Sequence, residues 1–308
     1  LTGPAAFAYP DVLKKRSRLR NGIEYAAAVA ALKTLEHSPR PLAERLARIY
    51  AGALDRALPR LRRTAMRNLA FALPEADHRK IVDEVFASIG RVLLALAKAP
   101  RITGANVHEW IRYEGLEHLK RAQARGRGVL IATAHLGNWE LSAYAHALMS
   151  APMRVVVRPL DNPLLDRLIA RRRTLSGNRI IEKKDFARAI LKALAANEAV
   201  GILIDQNASL EQGVFVDFFG VPACAGTGFA KLAARSGAAV VPGYALWSEA
   251  ERRYVLRFYP EIEMTGDAGE DTRRLHAHLE SVIREYPGQW LWIHRRWKTR
   301  PPGEPAIY

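Results

Sequence analysis

The feature that most restricts this chain is a five-residue apolar run, Val129-Leu-Ile-Ala-Thr133, with glycines at 126 and 128 before it and Gly137-Asn138 after it. The run is unbroken and too short for a helix, so it reads as a strand buried on both faces. From Trp139 the period changes: Leu141, Tyr144, Ala145 and Leu148 recur at spacings of three and four, as on an amphipathic helix. His135 and Glu140 stand in the strand-to-helix turn. Open α/β sheets place their ligands at this edge, the carboxyl ends of the strands.

The pattern recurs downstream. Met153 to Pro159 is a second buried strand, ended by proline. Val200 to Ile204 is a third, with Asp205 and Gln206 at its end, and Ala239 to Tyr244 is another. Tyr254 to Phe258 alternates like an edge strand. Between these lie helical stretches: 163–175, one capped by Asp185 and running to Asn197, one capped by Thr227 and closed by Gly237, and 272–285 capped by Asp271. Ahead of the first strand, near Ile111, the chain is helical, with segments at 11–33, 42–58, 60–72 and 77–99, the last stopped by Pro100. The expected fold class is α/β: a mostly parallel or mixed sheet flanked by helices, with an N-terminal helical extension. No clean linker divides it, so residues 1–308 form one domain, with a helical, membrane-facing part at 1–110 and the α/β core at 111–300.

Charge narrows the partners. The chain carries 47 Lys and Arg against 31 Asp and Glu, a formal +16. Such a surface attracts an anionic membrane, a nucleic acid or an acidic protein. The first hundred residues hold 18 of the cations against 9 acids, and Lys14-Lys-Arg-Ser-Arg-Leu-Arg20 precedes an apolar helical run, as in an interfacial helix. No stretch reaches the roughly 20 apolar residues of a spanning helix. Tyr25 to Leu32 is the best, and Glu24 and Lys33 hem it in. Peripheral attachment, or an anchor outside this sequence, is therefore expected. No nucleic-acid motif is present, and the basic residues accompany apolar faces more than stacking platforms, which argues against that partner. A single cysteine, Cys224, excludes an internal disulfide, and without Cys or His nearby it argues against a metal site.

His135 and Glu140 carry the chemistry. On a regular helix five residues separate them by about 140°, but a turn can fold the carboxylate back onto the imidazole. A carboxylate on one ring nitrogen fixes the tautomer and frees the other nitrogen as a base. No Ser or Cys nucleophile lies in the turn, so the pair would activate a substrate hydroxyl and form no covalent triad. The plainer alternative, a satisfied turn histidine and a first-turn helix acid, is what spacing alone favours; the strand-end position argues for a site. Arg158 and Asp205 follow other buried strands at the same edge, and Arg171, one helical turn after Arg167, could grip a phosphate or carboxylate.

His135-Leu-Gly-Asn-Trp-Glu140 resembles the His-x4-Glu signature of the bacterial lipid A late acyltransferases, a branch of the lysophospholipid acyltransferase superfamily. Further stretches are similar to that family in order: Arg67-Asn-Leu-Ala-Phe-Ala-Leu-Pro74, Tyr113-Glu-Gly-Leu-Glu117, Val157-Arg-Pro-Leu-Asp-Asn-Pro-Leu-Leu165, Ile204-Asp-Gln206, Val216-Asp-Phe-Phe-Gly-Val-Pro222 and Trp290-Leu-Trp-Ile-His-Arg-Arg-Trp-Lys298. The chain departs from it in lacking the usual N-terminal membrane helix, and in having Gly288 where an acidic residue normally precedes Gln289. The resemblance implies an O-acyltransferase at the cytoplasmic face of the bacterial inner membrane. It would move a fatty acyl chain from acyl carrier protein or coenzyme A to a hydroxyl of an anionic lipid or glycolipid. His135 and Glu140 are the catalytic residues it implies; Arg158, Asn162, Arg171, Asp205 and Gln206 are the substrate-binding ones. The thioester is a co-substrate, and no metal or other cofactor is implied. A lysophospholipid, a mannoside glycolipid, or water in a hydrolase remain alternative acceptors. Phe215-Val-Asp-Phe-Phe219 reads as an acyl groove or as core, with two of its three phenylalanines expected in the core. His294 to Lys298, with Arg300, reads as a headgroup interface or a charged surface.

Overall fold

The architecture is that of a computed structural model, which describes residues 17–181 and 186–308. The helix cap expected at Asp185 and the first three cations of the N-terminal cluster lie outside the described residues.

Among the described residues nine strands form two sheets. In chain order they are β1 (Ile111–Glu114), β2 (Val129–Thr133), β3 (Arg154–Val156), β4 (Arg179–Ile181), β5 (Ala199–Leu203), β6 (Gly213–Phe218), β7 (Val221–Gly226), β8 (Ala239–Ser248) and β9 (Arg253–Phe258). Seven make the main sheet in the order β1-β9-β8-β2-β5-β3-β4, and β6 and β7 form a separate antiparallel hairpin. Every main-sheet pair is parallel except β8–β9. β9 lies between β1 and β8, not at an edge, because the antiparallel turn after β8 leaves its far side open for β1. β4, β6 and β7 are the unforeseen strands; β4, three residues long and at the sheet edge, is too short to show a period.

The apolar run Val129–Thr133 is the inner strand β2. Val129 and Ile131 face a cluster containing Leu141, Tyr144 and Leu256, whereas Leu130 and Ala132 face one containing Ile190, Leu194 and Phe229. With both faces covered, every position must be apolar. The helix after it, α6 (Trp139–Met149), covers the first face; α8 (Phe186–Ala195) and α9 (Gly228–Ser236) help to cover the second.

Among the described residues four α-helices precede the sheet: α1 (Arg18–His37), α2 (Arg40–Ala57), α3 (Pro59–Ala72) and α4 (His78–Lys98). α4 is the bridge, packing on α1 and α2 through Leu94 and Ala97 and reaching the sheet side through Ala95. α1 and α2 leave Leu19, Ile23, Leu42 and Ile49 exposed, Ile23 and Ile49 each by 62%. No helix among the described residues is long and apolar enough to cross a membrane.

Two expected caps are replaced. Thr227 precedes α9, but its hydroxyl donates to the Gln212 carbonyl instead of capping. The last helix, α10, is Ala268–Glu285 and is capped by Asp267; Asp271 is buried inside its first turns, where it accepts from the amides of Thr265 and Gly266.

The stretch His294–Lys298 is divided: Arg295 and Lys298 are exposed, as on a charged surface, whereas Arg296 and Trp297 lie in the core. Trp290, Trp292, Arg296 and Trp297 are all fully buried. Asn68 on α3 donates to the Trp292 and His294 carbonyls, which is the work of the 67–74 stretch. The Arg296 guanidinium donates to the Cys224 carbonyl and lies 5.3 Å from the Phe218 ring. Phe218 and Phe219 belong to the same core, and Phe215 is half-buried on the hairpin. At Gly288 an added Cβ would stand 2.5 Å from the Cβ of Glu84. Glu84 on α4 thus fills the room that an acidic side chain at 288 would need.

Candidate active site

Strand register builds the site. β2 and β5 run parallel with Thr133 opposite Leu203, and His135 and Asp205 each lie two residues beyond that pair. The Ile204 amide donates to the Thr133 carbonyl at 2.9 Å, carrying the pairing one step past the strands. The two side chains therefore emerge side by side at the carboxyl edge.

The turn after β2 is held from several directions. Gly137 has φ +63°, and a Cβ there would lie 1.9 Å from the Ala245 carbonyl oxygen, so only glycine fits. The Gly137 amide donates to Gln289 and the Asn138 amide to Ala245. Asn138 caps α6 by accepting from the Leu141 amide. The His135 carbonyl accepts from the Leu291 amide, tying the turn to the buried tryptophan segment.

Nδ1 of His135 is 2.9 Å from Oδ1 of Asp205, and the His135 amide donates to Oδ2 at 3.0 Å. The indole of Trp290 donates to the same Oδ2 at 2.9 Å. Asp205 has no exposure. Burial opposes its charge, but His135 and these hydrogen bonds prevail and hold the carboxyl well below its ordinary range. Viewed from the other end, burial pushes the imidazole down while Asp205 and then Glu140 push it up, with a net rise above 6.5. The two shifts express one interaction. His135 keeps 18% exposure of its side chain and packs edge-on against Trp139 at 5.0 Å between ring centroids.

Glu140 is bound elsewhere. Arg173 of α7 (Pro163–Thr174) donates to both its oxygens, Nε at 2.8 Å and Nη2 at 2.5 Å, a bidentate pair. The expected closure of Glu140 onto the imidazole is therefore replaced by Asp205, which takes Nδ1. Glu140 acts on His135 through space. Beside this ion pair opens a mostly apolar cavity, lined among others by Trp139, Glu140, Arg173, Val155, Leu203 and Phe258.

The other expected binding residues separate. Asp205 binds His135. Asn162 is buried and fully used: it caps α7 through the Leu164 amide and donates to the Asn21 carbonyl and to Glu24, fixing α7 to α1. Arg158 and Gln206 are exposed, beyond the ends of β3 and β5. Arg171 is exposed too; two residues from Arg173, it lies about 200° away round α7. Arg172, between them, is buried on Glu36 and the Leu96 and Ala97 carbonyls. Arg173 and Trp290 were not foreseen as site residues. The Arg-Arg-Arg run hid the first, and nothing local pointed the second at Asp205.

A histidine held by a buried carboxylate at the strand ends of an α/β sheet, near an apolar cavity, is an arrangement suited to an enzyme acting on a hydroxyl near a hydrocarbon chain. Comparison with known proteins gives the family. The sequence profile of the bacterial lipid A biosynthesis acyltransferases matches residues 11–299. The chain is 33% identical over 263 residues to the lipid A biosynthesis palmitoleoyltransferase of Escherichia coli (strain K12), covering 83% of this chain and 85% of that one. It is 33% identical over 259 residues to the lauroyltransferase of the same organism, with 82% and 84% covered. To the phosphatidylinositol mannoside acyltransferase of Mycobacterium tuberculosis (strain ATCC 25618 / H37Rv) it is 28% identical over 232 residues, with 74% and 65% covered. The chain belongs to the bacterial lipid A biosynthesis acyltransferase family and is an acyltransferase.

Proposed function

We propose that this enzyme transfers a fatty acyl chain from a thioester, on acyl carrier protein or coenzyme A, to a hydroxyl of an anionic lipid of the lipid A type. The observation that carries the reading is the His135–Asp205 pair beside the apolar cavity. With Nδ1–H donated to Asp205, Nε2 is left as the base. It takes the acceptor's proton as the hydroxyl oxygen attacks the thioester carbonyl. The tetrahedral intermediate collapses with cleavage of the C–S bond, and the imidazolium returns its proton to the departing thiolate. Asp205 orients and charge-balances the ring, and Glu140 adds negative charge while Arg173 holds it at the cavity mouth. The cavity takes the acyl chain. A base of this kind contributes about 10²–10⁴-fold. Mass spectrometry of lipids from cells with and without the gene tests the reading; a species heavier by one acyl chain is expected only with it, and identical lipid profiles refute it.

The surface we assign to the membrane is the outer side of α1 and α2, where exposed Leu19, Ile23, Leu42 and Ile49 stand among the exposed Arg18, Arg45 and Arg48. Each cation near an anionic surface contributes roughly 1 kcal/mol, screened by salt. The protein should therefore leave anionic vesicles at high salt. Equal, salt-indifferent binding to neutral vesicles would remove the electrostatic part. The cytoplasmic face of the inner membrane, where thioesters are made, is the matching location.

A further inference from the structure

The cavity has a polar feature that the reaction above does not use. His146, on α6 and only 2% exposed, lines its wall. Its Nδ1 shares a hydrogen bond of 2.7 Å with the hydroxyl of Tyr113. Its ring packs edge-on against Phe258, another lining residue. One helical turn back, Ser142 lines the same cavity. Among the described residues neither Nε2 of His146 nor Oγ of Ser142 has a hydrogen-bond partner. Neither atom is sealed from the cavity, so an apolar chain lying there would leave both unpaired, which is costly. A wall that only had to hold a hydrocarbon would carry leucine here.

The chemistry of the missing partner follows from the ring. Burial drives His146 down to about 4, so it is neutral at physiological pH. The proton shared with Tyr113 sits on one side or the other, leaving Nε2 as donor or acceptor accordingly. A hydroxyl is both, and suits either tautomer. A charged group would lose its hydration in a largely apolar cavity without a counter-ion, since Arg173 is already taken by Glu140. Position is fixed by the helix. His146 lies six residues beyond Glu140, about 9 Å along the axis, so it meets the acyl chain past its first few carbons.

We propose that Ser142 and His146, backed by Tyr113, form a subsite that hydrogen-bonds a hydroxyl on the acyl chain, and that the enzyme favours a hydroxylated fatty acyl donor. The proposal rests on the cavity being the acyl site. The probes are dodecanoate and its positional hydroxy isomers, titrated calorimetrically into the whole protein below their micelle concentrations. At least one isomer, hydroxylated away from the carboxyl end, should bind about three- to tenfold more tightly than dodecanoate. That preference should vanish in His146→Phe and survive in His146→Gln, whose amide nitrogen stands near the place of Nε2. Should His146→Phe not fold, Ser142→Ala and Tyr113→Phe give a second reading, each reducing the preference. Dodecanoate binding at least as tightly as every isomer overturns the subsite and leaves the acyl cavity standing, as does a preference that persists in His146→Phe. If no fatty acid binds, the cavity itself is not the acyl site, and both readings fall.

Discussion

Two carboxylates act on His135, and they are held in opposite ways. Asp205 is wholly buried at the end of β5, with three N–H donors converging on its two oxygens. Glu140 sits at the start of α6, its side chain 12% exposed, tied to one arginine from another helix. The first fixes the ring by contact; the second only adds charge. A hydrogen bond sets a tautomer because it is directional, whereas a charge a few ångströms off shifts proton affinity without choosing a nitrogen. The difference separates orientation from electrostatics within one site.

That separation breaks most directly at Asp205. Asp205→Asn keeps the shape, yet its amide must aim at a donor or surrender the tautomer, so transfer should fall by about 10²–10⁴-fold, close to the loss in His135→Ala. The pH profile should move with it. On the proposed mechanism His135 works when neutral, and its proton affinity is raised, so the ascending limb of kcat/KM in the wild type should lie above pH 6.5. Removing the Asp205 charge shifts that limb to lower pH. Glu140→Gln should move it the same way by less, and cost about ten- to a hundredfold, partly by stranding the Arg173 guanidinium. The contrast fails if Glu140→Gln is the more damaging of the two, or if Asp205→Asn leaves both turnover and the pH limb in place.

The smallest expected effect sharpens the contrast from the arginine side. Arg171 and Arg173 are near neighbours in sequence, but one is in solvent and the other grips Glu140. Arg171→Ala should leave the Michaelis constants for donor and acceptor within about twofold of wild type, the usual range of an exposed substitution. A tenfold rise in the acceptor constant would return Arg171 to the site as an anion-binding residue.

Much of this was legible in the chain itself. The β2 run could be read because a strand buried on both faces admits only apolar side chains. The α4 helix, and the ordering of helices before sheet, showed equally well, since periodicity reports which face each residue turns to water. Short or satisfied elements did not. β4 has three residues and no period. The tryptophan-arginine segment at 290–298 has the composition of an interface, but much of it turns inward: the Trp290 indole donates to Asp205 and the Arg296 guanidinium to the Cys224 carbonyl. Composition cannot distinguish a cation in water from one held by a carbonyl.

By itself the sequence determined that a histidine stands in a glycine turn after a buried strand, because that strand, that turn and the following helix are each set by residues within a few positions of one another. Which carboxylate holds the histidine was decided only by tertiary structure. Glu140 is five residues away and looks like the partner; Asp205 is 70 residues away and is the partner. Parallel pairing of β2 with β5 puts two side chains at the same height and the same edge. That register is a property of the assembled sheet, carried by main-chain hydrogen bonds that no local pattern encodes.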